Sequence, residues 1–138
     1  MHIYQMDVNT AFLNGDIDTE VFMRRPNELG GNAPYVRLKK ALYGLKQASR
    51  IWNSNIDNFM KNLGFKQSKI EPCIYIHGNG NEKIIVGLYV DDLIIASKSI
   101  DGVNFIKHAL AVQYSMNDLG ELNTIIGIKV SKDKDAVQ

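Results

Sequence analysis

Two adjacent carboxylates, Asp91 and Asp92, stand between two apolar segments and form the clearest chemical feature of the sequence. Two unit charges about 4 Å apart repel by about 1 kcal/mol in water and by about 4 kcal/mol at an effective dielectric near 20. A divalent cation would convert this repulsion into coordination, because Mg²⁺ prefers hard oxygen ligands. The alternative is a plain hairpin turn, since Asp tolerates turn geometry and bonds its own backbone. A turn, however, needs only one Asp.

A third acid, Asp7, ends a short predicted strand, residues 3–7. If this strand lies beside the hairpin that carries Asp91 and Asp92, the three carboxylates meet at one end of a sheet. There they could hold two metal ions about 3.5 to 4 Å apart, the arrangement used for phosphoryl transfer. The sequence therefore predicts a site for two Mg²⁺ or Mn²⁺ ions, in which the acids act as ligands and not as proton shuttles.

Hydrophobic periodicity indicates the elements that must position these acids. The predicted strands cover residues 3–7, 73–77, 83–89, 93–97 and 124–130. A turn at residues 78–81 joins two of them into a hairpin. Helices are predicted over residues 46–63, closed by Gly64, and over about residues 101–113. Residues 21–23 and 35–38 form a small additional ribbon.

The order of the main elements predicts the fold. With the ribbon and the strand at 73–77 set aside, the order is strand, helix, strand, strand, helix, strand, which is the ferredoxin-like split βαβ arrangement, an α+β fold. It predicts an antiparallel sheet with both helices on one face and the other face available for a ligand or another protein part. We expect one domain over residues 1–138, with a frayed tail at residues 131–138.

Composition and charge restrict the function classes. The chain has 138 residues and one cysteine, Cys73, which excludes an internal disulfide framework and which we expect to be a buried small hydrophobe. We expect no membrane span and no secretory signal, and hence an intracellular location. Residues 24–50 contain seven Lys or Arg against one acid, whereas residues 1–23 contain four acids and no Lys or Arg. This pattern suits phosphate binding near metal-binding carboxylates, with a solvated charged face as the alternative.

Five ordered blocks stand out in the sequence: residues 5–15 (QMDVNTAFLNG), 38–50 (LKKALYGLKQASR), 73–75, 89–92 (YVDD) and 119–128. In their order and spacing they resemble the reverse transcriptases of copia-type retrotransposons. Residues 5–15, QMDVNTAFLNG, resemble the first catalytic motif of that family, and residues 89–92, YVDD, resemble the second. Residues 38–50, LKKALYGLKQASR, with the following Trp52, resemble the block between them. Further matches at residues 73–75 and 119–128 extend the resemblance over roughly residues 3–130.

The resemblance implies a polymerase palm with part of the fingers, to which the basic ribbon would belong. The enzyme would add deoxynucleotides to a primer on an RNA or DNA template. The implied metal ligands are Asp7, Asp91 and Asp92, with the Val8 carbonyl as a further ligand. The implied nucleotide-binding residues are Thr10, Ala11, Phe12, Tyr43, Gly44 and Gln47. The implied primer and template contacts are Tyr89, Lys39, Lys40, Lys46 and Arg50. Phe12 matches the aromatic residue that excludes a ribose 2′-hydroxyl, and core packing is its alternative role.

The family's catalytic unit extends beyond the blocks matched here, into a basic fingers segment, a thumb and a ribonuclease H region. We therefore expect a fragment of a longer polyprotein, located in a cytoplasmic virus-like particle or in the nucleus. It would have no membrane partner, and its exposed apolar surface would favour self-association. The alternative function is a noncatalytic remnant that binds nucleic acid or protein. A nucleotidyl cyclase or other palm-like phosphotransferase would share the two-metal sheet without explaining the middle block.

Overall fold

The computed structural model describes residues 1–125 and 128–130, which divide into two compact units. The first unit contains Met1–Asn9 and the described residues from Gly64 onward, and the second contains Thr10–Leu63. Within the described ranges, no helix combines the length and the apolar character needed to cross a membrane.

The described elements are mostly short strands. In chain order the strands are β1 (His2–Val8), β2 (Phe22–Arg24), β3 (Tyr35–Arg37), β4 (Lys66–Gln67), β5 (Ile74–His77), β6 (Ile84–Tyr89), β7 (Asp92–Ser97), β8 (Met116–Glu121), β9 (Thr124–Ile125) and β10 (Ile128–Lys129). The helices are α1 (Ala48–Asn62) and α2 (Ile100–Gln113). The fold is thus a mixture of α and β structure.

The first unit is built on a six-stranded sheet with the strand order β4-β5-β6-β7-β1-β8. Every neighbouring pair in this sheet is antiparallel. Among the described residues, β9 and β10 form a separate two-stranded antiparallel sheet. Both β7 and β1 are internal strands of this sheet, and Asp7, Asp91 and Asp92 lie on these two strands and in the turn that precedes β7.

One face of the sheet forms the core of the first unit. Successive side chains of a strand point to opposite faces, and the alternation of β6 and β7 buries one face of each. The buried residues are Ile84, Val86 and Leu88 of β6 and Leu93, Ile95 and Ser97 of β7. Burying an Ile, Leu or Val side chain contributes about 1.5 to 3 kcal/mol, so these two strands supply much of the unit's stability.

Helix α2 packs against this buried face. Its own buried side chains are Val103, Ile106 and Leu110, which recur at helical spacing. Ser99 caps the helix, because its side chain accepts a hydrogen bond from the Gly102 amide at 3.4 Å. A Cβ at Gly102 would lie 3.1 Å from Ile84, so the absence of a side chain there allows the helix to approach the sheet closely.

The second unit contains a 3-10 turn (Ala11–Asn14), the β2–β3 ribbon and helix α1. The helix buries Ala48, Trp52, Ile56 and Met60 at a spacing of four residues. Only 2% of the Trp52 surface is exposed, so this side chain belongs to the core of the second unit. The helix also contacts the turn, because the Asn55 amide donates a hydrogen bond to the Asn14 carbonyl at 2.9 Å.

Most of the predicted elements are confirmed, with ends displaced by one or two residues. These are the strands at 3–7, 73–77, 83–89 and 93–97, the ribbon at 21–23 and 35–38, and the two helices. The glycine-rich turn at residues 78–81 joins β5 to β6 as predicted. The two-residue strand β4 was not predicted, and the tail at residues 131–138 lies outside the described residues.

The prediction for the last strand of the sheet is wrong. The strand beside β1 is β8, whereas the described parts of residues 124–130 form the separate β9–β10 pair. The sequence of β8, MNDLGE, lacks apolar alternation, because an edge strand with mostly exposed side chains is held by backbone hydrogen bonds. An irregularity opposite Gln5 and Met6 interrupts its register further.

An ion pair fastens this edge strand to helix α2. The Lys107 ammonium lies 2.8 Å from both carboxylate oxygens of Asp118 on β8, and 4.0 Å from the ring centroid of Tyr4 on β1. Partial desolvation acts to raise the pKa of Asp118. The hydrogen bonds from Lys107 and from the Gly120 amide outweigh it and hold that pKa below its usual range.

This pair makes part of the stability of the first unit dependent on acid. A carboxyl group whose folded pKa is lowered stabilises the fold above its unfolded pKa, and this contribution is lost as the pH falls through the folded value. Urea unfolding at pH 7 and near pH 3 should therefore show a smaller acid-induced loss in Asp118→Asn than in the wild type. Because half of the Asp118 side chain is exposed, we expect a difference of at most about 1 kcal/mol. An equal loss in both proteins would contradict this assignment.

Candidate active site

Strand pairing brings two of the three predicted acids face to face. Asp7 on β1 and Asp92 on β7 are direct partners in the antiparallel register. Direct partners present their side chains on the same face of a sheet, with Cα atoms about 4.5 to 5.5 Å apart. This face is opposite to the one that carries the buried neighbours Met6 and Leu93. Both acids are half-buried and accessible from solvent.

The third acid, Asp91, lies in the two-residue turn between β6 and β7. Tyr89 and Asp92, which flank the turn, are partners in the register of the hairpin. The carbonyl oxygen of Asp91 accepts a hydrogen bond from the Val8 amide at 2.9 Å, which ties the turn to the end of β1. The three acids and the Val8 backbone therefore lie at the same end of the sheet, as the sequence predicted.

The donor set at this end of the sheet fits a hard divalent cation. All of the candidate ligands are carboxylate or carbonyl oxygens, which Mg²⁺ and Mn²⁺ prefer to nitrogen or sulfur. In the part of the chain that the structure describes, no three His, Cys, Asp or Glu side chains are grouped closely enough to hold a metal ion. The convergence of all three acids on shared ions thus stays a prediction.

The turn between β6 and β7 has a strained backbone. Val90 has a φ of 55°, in the left-handed region that β-branched residues rarely adopt. Such conformations cost about 1 to 3 kcal/mol and are typical of functional sites, where the surrounding structure maintains them. A two-residue hairpin turn itself requires a positive φ at its first residue, so the geometry at Val90 agrees with the functional role and with the simple turn alike.

Both facing carboxylates accept a hydrogen bond from a neutral amide side chain. The Gln5 Nε2 group donates to Asp92 Oδ1 at 2.9 Å, and the Asn117 Nδ2 group donates to Asp7 Oδ2 at 3.3 Å. The sequence analysis missed both residues. The spacing of two between Gln5 and Asp7 on one strand could have indicated a shared face. Asn117 gave no such signal, because β8 was not predicted.

The candidate nucleotide-binding residues lie in the second unit, where two of them are in contact. The rings of Phe12 and Tyr43 have centroids 5.7 Å apart and are tilted by 38°. Tyr43 is 90% exposed and Phe12 is half-buried, so this aromatic pair is accessible and does not belong to the core. Its accessibility favours a binding role for Phe12 over core packing.

The remaining candidates of this group differ in exposure. Thr10 is exposed and left-handed, with a φ of 52°, whereas Ala11 is buried in the 3-10 turn that follows. Gly44 is exposed with a φ of 96°, a conformation that glycine adopts without strain. Gln47 is half-buried at the start of helix α1. The Thr10 and Gly44 backbones are therefore the more accessible parts of the predicted nucleotide site.

The candidate template contacts divide into paired and unpaired cations. The Lys40 ammonium lies 2.6 Å from an Asp16 carboxylate oxygen. Lys39, Lys46 and Arg50 are exposed, and within the described residues no acid forms an ion pair with them. These three are consequently better candidates for phosphate contacts than Lys40. Tyr89, the candidate primer contact, is 56% exposed next to the turn that contains Asp91.

The prediction that Cys73 is buried is wrong. The residue is exposed, because it lies in the turn after Pro72. Its backbone amide donates a hydrogen bond to Glu71 Oε1 at 3.2 Å. Partial desolvation and, after it, the neighbouring Glu71 charge raise the pKa of the Cys73 thiol. A raised pKa disfavours the thiolate, so the exposed thiol is a poor nucleophile.

Comparison with known proteins gives concordant matches over the whole chain. The family model described as reverse transcriptase (RNA-dependent DNA polymerase) matches residues 1–138. The chain is 38% identical over 138 residues to the retrovirus-related Pol polyprotein from transposon TNT 1-94 of Nicotiana tabacum, covering 97% of this chain and 10% of that protein. It is 37% identical over 130 residues to a putative transposon Ty5-1 protein of Saccharomyces cerevisiae, covering 91% of this chain and 42% of the relative. The Ty1-BL Gag-Pol polyprotein of the same yeast is 35% identical over 123 residues, with 87% and 7% covered. The chain thus spans less than half the length of these relatives.

Proposed function

The chain belongs to the reverse transcriptase (RNA-dependent DNA polymerase) family, and from this premise we propose that it is the palm of a copia-type enzyme. The palm would add deoxynucleotides to a primer on an RNA or DNA template by two-metal-ion catalysis. The family resemblance that the motifs indicated is confirmed by the matches to transposon polyproteins. The observation that carries the proposal is the register that pairs Asp7 with Asp92 and ties Asp91 to Val8.

The strand order supports a palm of the ferredoxin-like split βαβ type. The strands β6, β7, β1 and β8 are adjacent in this order, and α2 connects β7 to β8. In the split βαβ arrangement the first strand lies between the third and the fourth, as β1 lies between β7 and β8. The pair β4–β5 extends the sheet at the other edge. We assign the β2–β3 ribbon to the fingers.

The residues at the end of the sheet would hold two Mg²⁺ or Mn²⁺ ions. Asp7 and Asp91 would be the main ligands, with Asp92 and the Val8 carbonyl as further ones. When bound, the ions supply Lewis-acid stabilisation of the phosphates and activation of the primer hydroxyl.

The unpaired cations Lys39, Lys46 and Arg50 would contact template phosphates.

Phosphate contacts of this kind give affinity without sequence preference, as a polymerase requires. In the proposed enzyme, the exposed Thr10 and Gly44 backbones and the Tyr43 ring would contact the deoxynucleoside triphosphate, with Ala11 and Gln47 in support. Tyr89 would contact the primer terminus.

The matched region makes up only 10% or 7% of two polyprotein relatives. This supports the proposal that a parent polyprotein supplies the remaining fingers, the thumb and the ribonuclease H region. We place this polyprotein in a cytoplasmic virus-like particle or in the nucleus. Exposed apolar side chains such as Ile70 and Val112, at 94% and 74%, would be contact points for such regions or for a second copy of the chain.

Primer extension tests the proposal directly. The chain is incubated with a poly(rA)/oligo(dT) duplex and deoxythymidine triphosphate, with Mg²⁺, with Mn²⁺ or with a chelator. We expect extension with either ion and none with the chelator. A chain that is folded by circular dichroism and binds the duplex, but does not extend the primer with either ion, would support the noncatalytic remnant instead.

Replacement of Phe12 by Ala tests the role assigned to the aromatic pair. Removing the ring opens space beneath the sugar of the incoming nucleotide, so the selectivity for deoxyribonucleotides over ribonucleotides should fall at least about tenfold. The measurement is the ratio of extension rates with the two triphosphates. Phe22→Ala is the matched control, because it makes the same change at an exposed ribbon position with no proposed nucleotide contact, and it should leave sugar selectivity unchanged. Unchanged sugar selectivity in Phe12→Ala would remove the role assigned to Phe12.

A further inference from the structure

We propose that Gln5 and Asn117 are positioning residues for the facing carboxylates Asp92 and Asp7. This inference rests on the proposed function and deepens it, because it assigns residues that orient the metal ligands. Its observation is the pair of amide hydrogen bonds, 2.9 Å from Gln5 to Asp92 and 3.3 Å from Asn117 to Asp7. Hydrogen bonds from outer residues fix the orientation of metal ligands and commonly change metal affinity by about 10 to 100-fold.

The strand register places Asn117, Asp7 and Asp92 in one row across the sheet. Asn117 on β8 is the direct partner of Asp7 on β1, and Asp7 is the direct partner of Asp92 on β7. Gln5 reaches Asp92 diagonally, since its own direct partner on β7 is Ile94. Each carboxylate is thus held by a side chain from a neighbouring strand, which makes its orientation a property of the sheet and not of its own rotamer alone.

Asn117 is itself held in place by its neighbours. Its second amide hydrogen is donated to Asn9 Oδ1 at 2.6 Å, and its own Oδ1 accepts from Asn9 Nδ2 at 3.4 Å. Asn9 also donates to the Ser115 hydroxyl at 3.1 Å. These bonds direct the Asn117 nitrogen, and not its oxygen, toward Asp7, as a carboxylate acceptor requires.

The neutrality of the two amides is as important as their geometry. Asp118, the residue after Asn117, is paired with the Lys107 ammonium, which neutralises its charge. Asp7 and Asp92 receive only neutral donors, so their charges remain available to a cation. Each also keeps one carboxylate oxygen without a hydrogen bond within the described residues, Oδ1 of Asp7 and Oδ2 of Asp92. Two oriented, uncompensated carboxylates with free oxygens are what a divalent cation binds well.

Binding of Mn²⁺ alone to the full chain tests the inference without nucleic acid or catalysis. Free Mn²⁺ is measured by electron paramagnetic resonance during titration of the wild type, Gln5→Ala and Asn117→Ala. We expect each variant to bind Mn²⁺ about tenfold more weakly or worse. The urea midpoint, measured in parallel, should stay close to that of the wild type. Equal Mn²⁺ affinity in the wild type and both variants would overturn the inference.

Two further sets of variants separate positioning from folding and from charge. Gln5→Met and Asn117→Leu keep most of the side-chain volume and remove the N–H donor, so the same loss is expected if the alanine variants fold poorly. Asp118→Asn is the matched control on β8, because it disrupts the ion pair with Lys107 and leaves both amide donors in place. It should lower stability without changing Mn²⁺ affinity, and an equal loss of affinity would assign the effect to β8 as a whole.

The outcome for the wild type distinguishes this inference from the proposed function. If the wild type binds no Mn²⁺, or if Asp7→Asn binds it as well as the wild type, the two-metal proposal fails. If the wild type binds Mn²⁺ through Asp7 and the amide variants bind it equally well, only the positioning role fails.

Discussion

Primer extension is expected to fall at least about 100-fold when Asp91 is replaced by Asn, the scale on which removal of one preorganised electrostatic group reduces catalysis. Asn keeps the size of the side chain and removes its negative charge. The Asp91 carbonyl is bonded to Val8, and this backbone contact does not depend on the side chain. The variant should therefore keep the turn, and the loss should arise from weaker metal binding at the end of the sheet.

Asp118→Asn is the control for this prediction, because it makes the same chemical change in the same unit. The Asp118 carboxylate is paired with Lys107 and should take no part in extension. We expect nearly wild-type extension from this variant at a temperature well below its unfolding midpoint. Wild-type extension by Asp91→Asn, or an equal loss in both variants, would contradict the assignment of Asp91 as a metal ligand.

Replacement of Ile95 by Ala should lower the free energy of unfolding by about 2 to 5 kcal/mol, the range typical of large-to-small changes in a packed core. Ile95 has 0% exposure on β7, between its register partners Val86 and Tyr4. The truncation removes buried apolar surface and leaves a cavity that the sheet can fill only in part. Urea denaturation followed by circular dichroism measures the change. Domains of this kind have only about 5 to 15 kcal/mol of stability, so the variant would be close to unfolding.

The neighbouring Ile94 provides the matched control. It lies on the same strand, is half-buried, and points to the opposite face, the one that carries Asp7 and Asp92. Ile94→Ala removes the same atoms from a partly exposed position, so we expect a cost of only about 1 kcal/mol. An equal cost at the two positions would mean that both faces of the sheet are equally packed.

Metal binding and core stability are predicted to respond to different faces of the same two strands. On β1 and β7 the buried face carries Met6, Leu93 and Ile95, and the accessible face carries the facing acids Asp7 and Asp92. A change on one face should therefore leave the property of the other nearly unaltered, since sites without shared partners usually contribute additively.

The sequence alone determined the features that depend on local pattern. The short apolar segments at residues 83–89 and 93–97, bounded by turn residues, predicted two strands. The spacing of three and four between apolar residues over residues 46–63 predicted helix α1, because such residues share one face of a helix. The acids were found from chemistry, since adjacent carboxylates need a cation or a turn. The ordered motifs then indicated the family that the comparisons confirm.

Features that depend on pairing between distant segments are established only in the folded sheet. The strand β8 escaped prediction, because its side chains are mostly exposed and its hydrogen bonds come from the backbone. With β8 missed, Asn117 could not be placed opposite Asp7, 110 residues away in the chain. Likewise, the ion pair between Lys40 and Asp16 could not be inferred from charge alone. A strand's residues specify which side chains share a face, but the register of its neighbours specifies which of them meet, and that register is fixed only when the whole sheet assembles.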